Sequence, residues 1–185
     1  NQNILGTTDA NGNYKIALTP GSWYVRGTAV LSFDNKTYIL DLQPETVGAF
    51  AGTEGAIRNL NLKISGAKTP EFGMGGYYGG SVEIYAYGGE FFDSDGVELT
   101  LEPVGTLIDG SVGNKIIRNP EGDILYDAPL GKYKISARYV PENRPLQIRM
   151  RNKGQGFNSS VTSSFDPAYP GATGSYGLSV EVKPE

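Results

Sequence analysis

The chain has 185 residues, with 16 lysines and arginines against 20 aspartates and glutamates, a net charge of −4, and neither cysteine nor histidine. An acidic chain is poorly placed to neutralise phosphates, which argues against nucleic acid as a partner. The lack of both residues excludes disulfides, thiolate and imidazole metal sites, and nucleophilic triads as usually built. Gly (26), Pro (11) and Tyr (12) are plentiful and short alternating apolar runs fill the space between turn residues, the pattern of an all-β chain rather than an α/β enzyme.

Taken in chain order, residues 8–25 read as turn, strand, turn, strand. Asp9 can accept bonds from the amides of its own turn and Gly12 supplies positive φ. Tyr14, Ile16 and Leu18 then share one strand face. Pro20-Gly21 makes the next turn, after which Trp23, Val25, Gly27, Ala29 and Leu31 share a face, with Trp23 as the core anchor. Tyr38 and Leu40 mark a third strand; Leu60, Leu62 and Ile64 mark the last of this stretch. Residues 65–80, with a run of glycines around Met74, read as a linker. Beyond it come Val82-Glu83-Ile84-Tyr85-Ala86-Tyr87 and inward-facing sets at Val97/Leu99/Leu101, Tyr133/Ile135/Ala137/Tyr139, Leu146/Ile148/Met150 and Leu178/Val180/Val182.

The two stretches repeat one another. Adding 110 takes Gly12 to Gly122, Tyr14 to Ile124, Ile16 to Tyr126, Gly21 to Gly131, Trp23 to Tyr133, Val25 to Ile135, Tyr38 to Ile148 and Leu40 to Met150. An offset of 118 takes Leu60, Leu62 and Ile64 to Leu178, Val180 and Val182. The expectation is two tandem antiparallel β-sandwiches, Ig-like or prealbumin-like, over residues 1–66 and 81–185, joined by a linker at 67–80. Projected back, residues 97–103 fall before Asn1, so the first sandwich is expected to lack its leading strands. A fragment cut from a longer protein, a short variant sheet, and a sandwich completed by another chain's strand each account for that.

The pattern Thr8-Asp9-x-x-Gly12-x-Tyr14, then Pro20-Gly21-x-Trp23-x-Val25, resembles the carboxypeptidase regulatory-like domain, a transthyretin-like sandwich, and is similar to the B-type repeats of collagen adhesins and pilins. The second copy keeps Gly122, Gly131, Tyr133 and Ile135, with Leu130 in place of the proline. The resemblance implies spacers, stalks, adhesion domains or filament subunits. Some B-type repeats carry a lysine isopeptide cross-link from first strand to last. It is not expected here, because residues 97–102 hold no lysine and the first copy has no leading strand.

Candidate ligand sites are few. Asp93 and Asp95 space oxygen ligands as calcium loops do, and so do Asp9, Asn11 and Asn13, but neither run continues with the acid an EF-hand needs and Asx-turns explain both. Calcium is therefore a possible cofactor and no other is expected. Tyr85 and Tyr87 share an outward face, with Tyr77, Tyr78, Phe91 and Phe92 near in sequence, either a platform for glycan rings or a face covered by neighbouring protein. Arg149, Arg151 and Lys153, with Arg144 and Arg138, form a basic stripe that either meets anionic polysaccharide or guards a strand edge. Asn35 and Asn158 open N-glycosylation sequons.

The expected function is that of a non-catalytic, extracellular structural or adhesive module at a cell surface, with protein partners that include other copies of itself through strand donation. The alternatives are a carbohydrate-binding module and an accessory domain of a larger secreted enzyme. No run of apolar residues is long enough to span a membrane.

Overall fold

The computed structural model describes residues 2–69, 75–88 and 93–185 and is all-β. Among these residues the helical turns are short 3₁₀ pieces, Ser94–Gly96 and Val140–Glu142. No helix among them is long and apolar enough to cross a membrane. The first segment holds β1 (Ser22–Trp23), β2 (Thr28–Phe33), β3 (Lys36–Pro44), β4 (Phe50–Ala51) and β5 (Leu60–Leu62). The second holds β6 (Gly80–Ala86), β7 (Val97–Pro103), β8 (Ile116–Arg118), β9 (Ile124–Ala128), β10 (Lys132–Tyr139), β11 (Arg144–Met150), β12 (Val161–Ser164), β13 (Asp166–Pro167) and β14 (Tyr176–Pro184).

The second segment is one large sheet in the order β8-β7-β10-β11-β14-β6-β9, with β12 on β10 and β13 on β14. Between β12 on β10 and β13 on β14 the chain passes through Phe165, which is fully buried. Alternation sets the core: Val97, Leu99 and Leu101 of β7, Tyr133 and Ile135 of β10, Leu146, Ile148 and Met150 of β11, and Leu178, Val180 and Val182 of β14 are all buried. In β9 the expected phase fails. Asp127 adopts φ 57 and the β6–β9 register shifts between Gly80 and Val82, so Leu125 and Ala128 are buried while Tyr126 turns outward.

The first segment repeats the pairings of the second in smaller form. Its three-stranded sheet runs β2-β3-β5, as β10-β11-β14 do. Ser22 and Trp23 pair with Ala51 and Phe50, as Lys132 and Tyr133 pair with Ser164 and Ser163. Even a side-chain anchor recurs: the Trp23 indole N–H donates to Thr19 O at 2.8 Å and the Tyr133 hydroxyl to Pro129 O at 2.8 Å.

Two expectations are corrected. First, the two segments do not build separate cores: Tyr38, Leu40 and Ile64 join the same buried cluster as Tyr133, Phe165 and Tyr176. The apolar face of a single sheet must be buried against another layer, and here that layer is the second segment. The inward residues that reach less far, Trp23, Val25, Ala29 and Leu31, stay half-buried. Second, the described part of residues 67–80 is no free linker. Lys68 N–H donates to Gly76 O and Tyr78 N–H to Gly66 O, with Ala67 bridged to Tyr77.

A polar seam fixes the join. Lys36 Nζ reaches Asp166 Oδ1 at 2.7 Å and Ser164 O at 2.9 Å; Lys132 Nζ reaches Asp34 Oδ1 at 2.8 Å, and the Ser164 hydroxyl donates to Asp34 Oδ2. Tyr38 donates to Phe165 O at 2.7 Å. Asp127, sitting where the first copy has Ala17, accepts from the Gly66 and Gly79 amides. Lys68, only 10% exposed, binds Asp41 at 2.8 Å and Gly174 O at 2.7 Å.

Candidate functional site

Strand order brings together two clusters that lie far apart in sequence. β14 lies between β6, which runs parallel to it, and antiparallel β11, so Tyr85, Glu181 and Arg149 stand in one row on the outward face. Arg149 Nε meets Glu181 Oε2 at 2.6 Å, and Arg151 Nε approaches Oε1 at 3.8 Å. The Arg149 guanidinium lies 4.6 Å from the Tyr87 ring centre and 4.5 Å from that of Phe157. Arg151 sits 3.6 Å from the Tyr85 ring centre, and Lys183 5.0 Å from that of Phe157. Tyr87 and Phe157 themselves stand 5.0 Å apart. Glu83 beside its hydroxyl, followed by burial, holds the Tyr85 phenol above its ordinary pKa.

This arrangement is a ladder of cations on rings. Sugar stacking needs an open ring face, and Arg151 covers one face of Tyr85. Tyr87, 44% exposed, keeps more of its ring in solvent. The basic stripe is partly neutralised: Arg138 pairs with Glu98, Arg144 with Glu142, Arg149 and Arg151 share Glu181, and Lys153 shares Asp166 with Lys36. Phe91 and Phe92 lie outside the described residues, as do Gly73 and Met74. Tyr77 instead stacks near Tyr126, 5.8 Å between centres, and the Tyr78 hydroxyl donates to Gln43.

The acidic turns hold their own backbone. Asp93 Oδ1 accepts from Asp95 N at 3.1 Å, capping the 3₁₀ turn. Asp9 Oδ1 accepts from the Asn11 and Asn13 amides, and the Asn13 amide leads in holding its carboxyl below the ordinary carboxylate range. Among the described residues no three acidic side chains gather as a metal-holding group. Both sequons are exposed: Asn35 occupies the β2–β3 turn at φ 59, and Asn158 is tied by its backbone to Ile148.

The second feature is the open rim of the first segment. Among the described residues β2 pairs with β3 alone, and β5 likewise. Val30 on β2 is 67% exposed. Where the chain enters β2 lies a cavity of about 160 Å³ lined by Val25, Gly27, Leu42, Val47 and Tyr78, with Lys68 and Asp41 at its wall. Sequence reading found neither this cavity nor the seam beside it. The one signal for the seam was Asp127, a charge where the repeat has Ala17.

Comparison of the chain with protein-family models, with curated proteins and with solved structures finds no match.

Proposed function

We propose that this chain is a non-catalytic structural module of an extracellular, cell-surface assembly, working as a stiff spacer and a protein-contact unit. On this reading the two segments are copies of one Ig-like or prealbumin-like sandwich, of the kind the carboxypeptidase regulatory-like resemblance implies. The observation that carries the reading is the join. A shared apolar core and the Lys36, Lys68 and Lys132 bonds turn two repeats into one stiff body, while the rim of β2 stays open to other protein.

The test is cross-linking on intact source cells with a membrane-impermeant lysine reagent. Lys15 and Lys63, both exposed, are expected to form links to other surface polypeptides. Protection of the chain from the reagent until the cells are lysed, or links confined to the chain itself, would refute the reading.

A further inference from the structure

We infer that Tyr77 and Tyr126 form an oxidative cross-linking site, at which a peroxide-driven one-electron oxidant joins the two rings as an intramolecular dityrosine. The bond pins the connection between the segments to β9. The inference goes beyond the spacer reading and stands on the geometry of the two rings.

One carboxylate builds the pair. Asp127 takes φ 57, Leu125 and Ala128 on either side of it are buried, and Tyr126 is turned outward. The Asp127 side chain accepts from the Gly66 amide at 2.8 Å and from the Gly79 amide at 3.1 Å. It thereby holds the two arms of the connection, residues 66–68 and 76–79, at the end of β9. The arms are paired with each other: Lys68 N–H donates to Gly76 O at 2.8 Å, Tyr78 N–H to Gly66 O at 2.9 Å, and Ala67 is bridged to Tyr77. On the other side Arg118 of β8 donates to Tyr126 O at 2.9 Å. Both backbones are thus fixed, and the rings meet with centres 5.8 Å apart and planes at 32°.

Oxidative coupling needs two phenols that are close together and within reach of solvent. Tyr38 and Tyr176 are closer, at 4.9 Å, but they are 2% and 5% exposed, and their hydroxyls bond Phe165 O and Ile39 O. Tyr85 lies under Arg151. Tyr87 faces Phe157, which has no hydroxyl from which to form a phenoxyl radical. Tyr77 and Tyr126, 41% and 38% exposed, meet both conditions. Exposed side chains change rotamer in picoseconds to nanoseconds, so the ring carbons beside the hydroxyls come into contact without any backbone movement.

The step balances. Each phenol gives up one electron and its hydroxyl proton and becomes a phenoxyl radical, with unpaired spin on the ring carbons ortho to oxygen. One carbon–carbon bond forms between two such carbons. The hydrogens they carried pass to the two oxygens, which restores both aromatic rings and both hydroxyls. Two electrons and two protons leave in all, and one hydrogen peroxide takes them up to give two waters. A haem peroxidase is the class of catalyst that moves these electrons one at a time. The chain has no cysteine, so this closure is open to it where a disulfide is not. The bond would enclose β6, β7 and β8 in one covalent loop and restrict the unfolded chain as any such cross-link does.

The test treats the full chain, at micromolar concentration, with a haem peroxidase and hydrogen peroxide. Linked groups within one molecule meet at an effective concentration of about millimolar, so coupling within the chain is expected to outrun coupling between chains. The expected product is a monomer lighter by two hydrogen atoms, formed at a rate independent of protein concentration. Its digest should give one linked peptide pair containing Tyr77 and Tyr126, and its melting temperature should rise by about 5 °C or more. Tyr77→Phe and Tyr126→Phe, both surface changes that leave folding intact, should each abolish that product. Tyr169→Phe, at a more exposed tyrosine, should leave it unchanged. Linkage through other tyrosines, a rate that scales with protein concentration, or the same product in either Phe variant overturns the inference. In chain isolated from its source the same linked pair is expected, and two unlinked tyrosines there would overturn its use in the natural protein. None of these outcomes bears on whether the chain contacts other surface polypeptides.

Discussion

Replacing Leu40 by alanine probes the shared core directly. Leu40 is 3% exposed and belongs, with Tyr38 and Ile64, to the cluster that includes Tyr133, Phe165 and Tyr176. Losing the buried methyl groups and leaving a cavity costs about 2–5 kcal/mol. For a body of this size each kcal/mol moves the melting temperature roughly 2–4 °C, so a fall of about 4–20 °C is expected. The chain has one tryptophan, Trp23, which lies in the first segment and reports on it alone. Circular dichroism reports mainly on the strands of the second. Urea or thermal unfolding followed by both signals should show the two transitions moving together in Leu40→Ala. Phe165→Ala, made in the second segment, should move the Trp23 transition as well. A Trp23 transition that shifts while the dichroism midpoint stays put would show two independent bodies, and the argument from a common core would fail.

Gly80→Ala should be strongly felt, since a Cβ there would stand 2.4 Å from the Phe165 ring, which is fully buried; a loss of about 1–3 kcal/mol in denaturant stability is expected, partly recovered by Phe165→Leu. Acid should loosen the seam. Bonds from Lys132 and Ser164 hold Asp34 below its ordinary pKa. At Asp166 burial pushes upward, but Lys36 and Lys153 outweigh it and the net shift is down. Carboxylates lowered in this way stabilise the folded state above their unfolded pKa of about 3.9 and lose that contribution as pH falls through the folded value. Stability should therefore be level in this respect down to about pH 5 and fall below about pH 4, less steeply in Asp34→Asn/Asp166→Asn, as pH-dependent urea midpoints will show. Arg149→Met should cost about 1 kcal/mol by the same measurement, the combined loss of the Glu181 pair and the contacts with Tyr87 and Phe157.

The strands were legible wherever both faces of the pattern were filled. Val97/Leu99/Leu101 and Leu178/Val180/Val182 alternate cleanly because each lies inside a sheet with a covered face, and the structure buries all six. Residues 14–18 alternate just as well and form no strand. Periodicity reports the face a strand would bury, and it takes a neighbour on each edge to hold the strand there. The offset that takes Ile16 to Tyr126 does not carry burial with it: Leu125 and Ala128 are buried, with the bulge at Asp127 between them, and Tyr126 is exposed. The ladder was half legible. Tyr85/Tyr87 and Arg149/Arg151 each stood out, but their meeting depends on β14 lying between β6 and β11, and no spacing in the sequence encodes that order. The seam was the least legible part: Lys36 and Asp166 lie 130 positions apart and look like ordinary turn and surface charges.

That seam bears on how an incomplete sheet stays folded at all. A lone sheet leaves its apolar face in water, and the open edge of β2 with Val30 exposed would be a template for aggregation. Here the face that would be sticky is divided. Tyr38 and Leu40 are sunk into the second segment, held by the Tyr38 hydroxyl on Phe165 O and by Lys36 on Asp166, while Val25, Gly27 and Leu42 stay around an open cavity. The docked part supplies the order. Val30→Lys tests that division: charging the exposed edge should leave the melting temperature near that of the parent, because Val30 makes no part of the buried cluster. A large loss of stability in Val30→Lys would mean that the rim of β2 is covered in the folded chain, and the division of the sheet into a docked and an open part would fail.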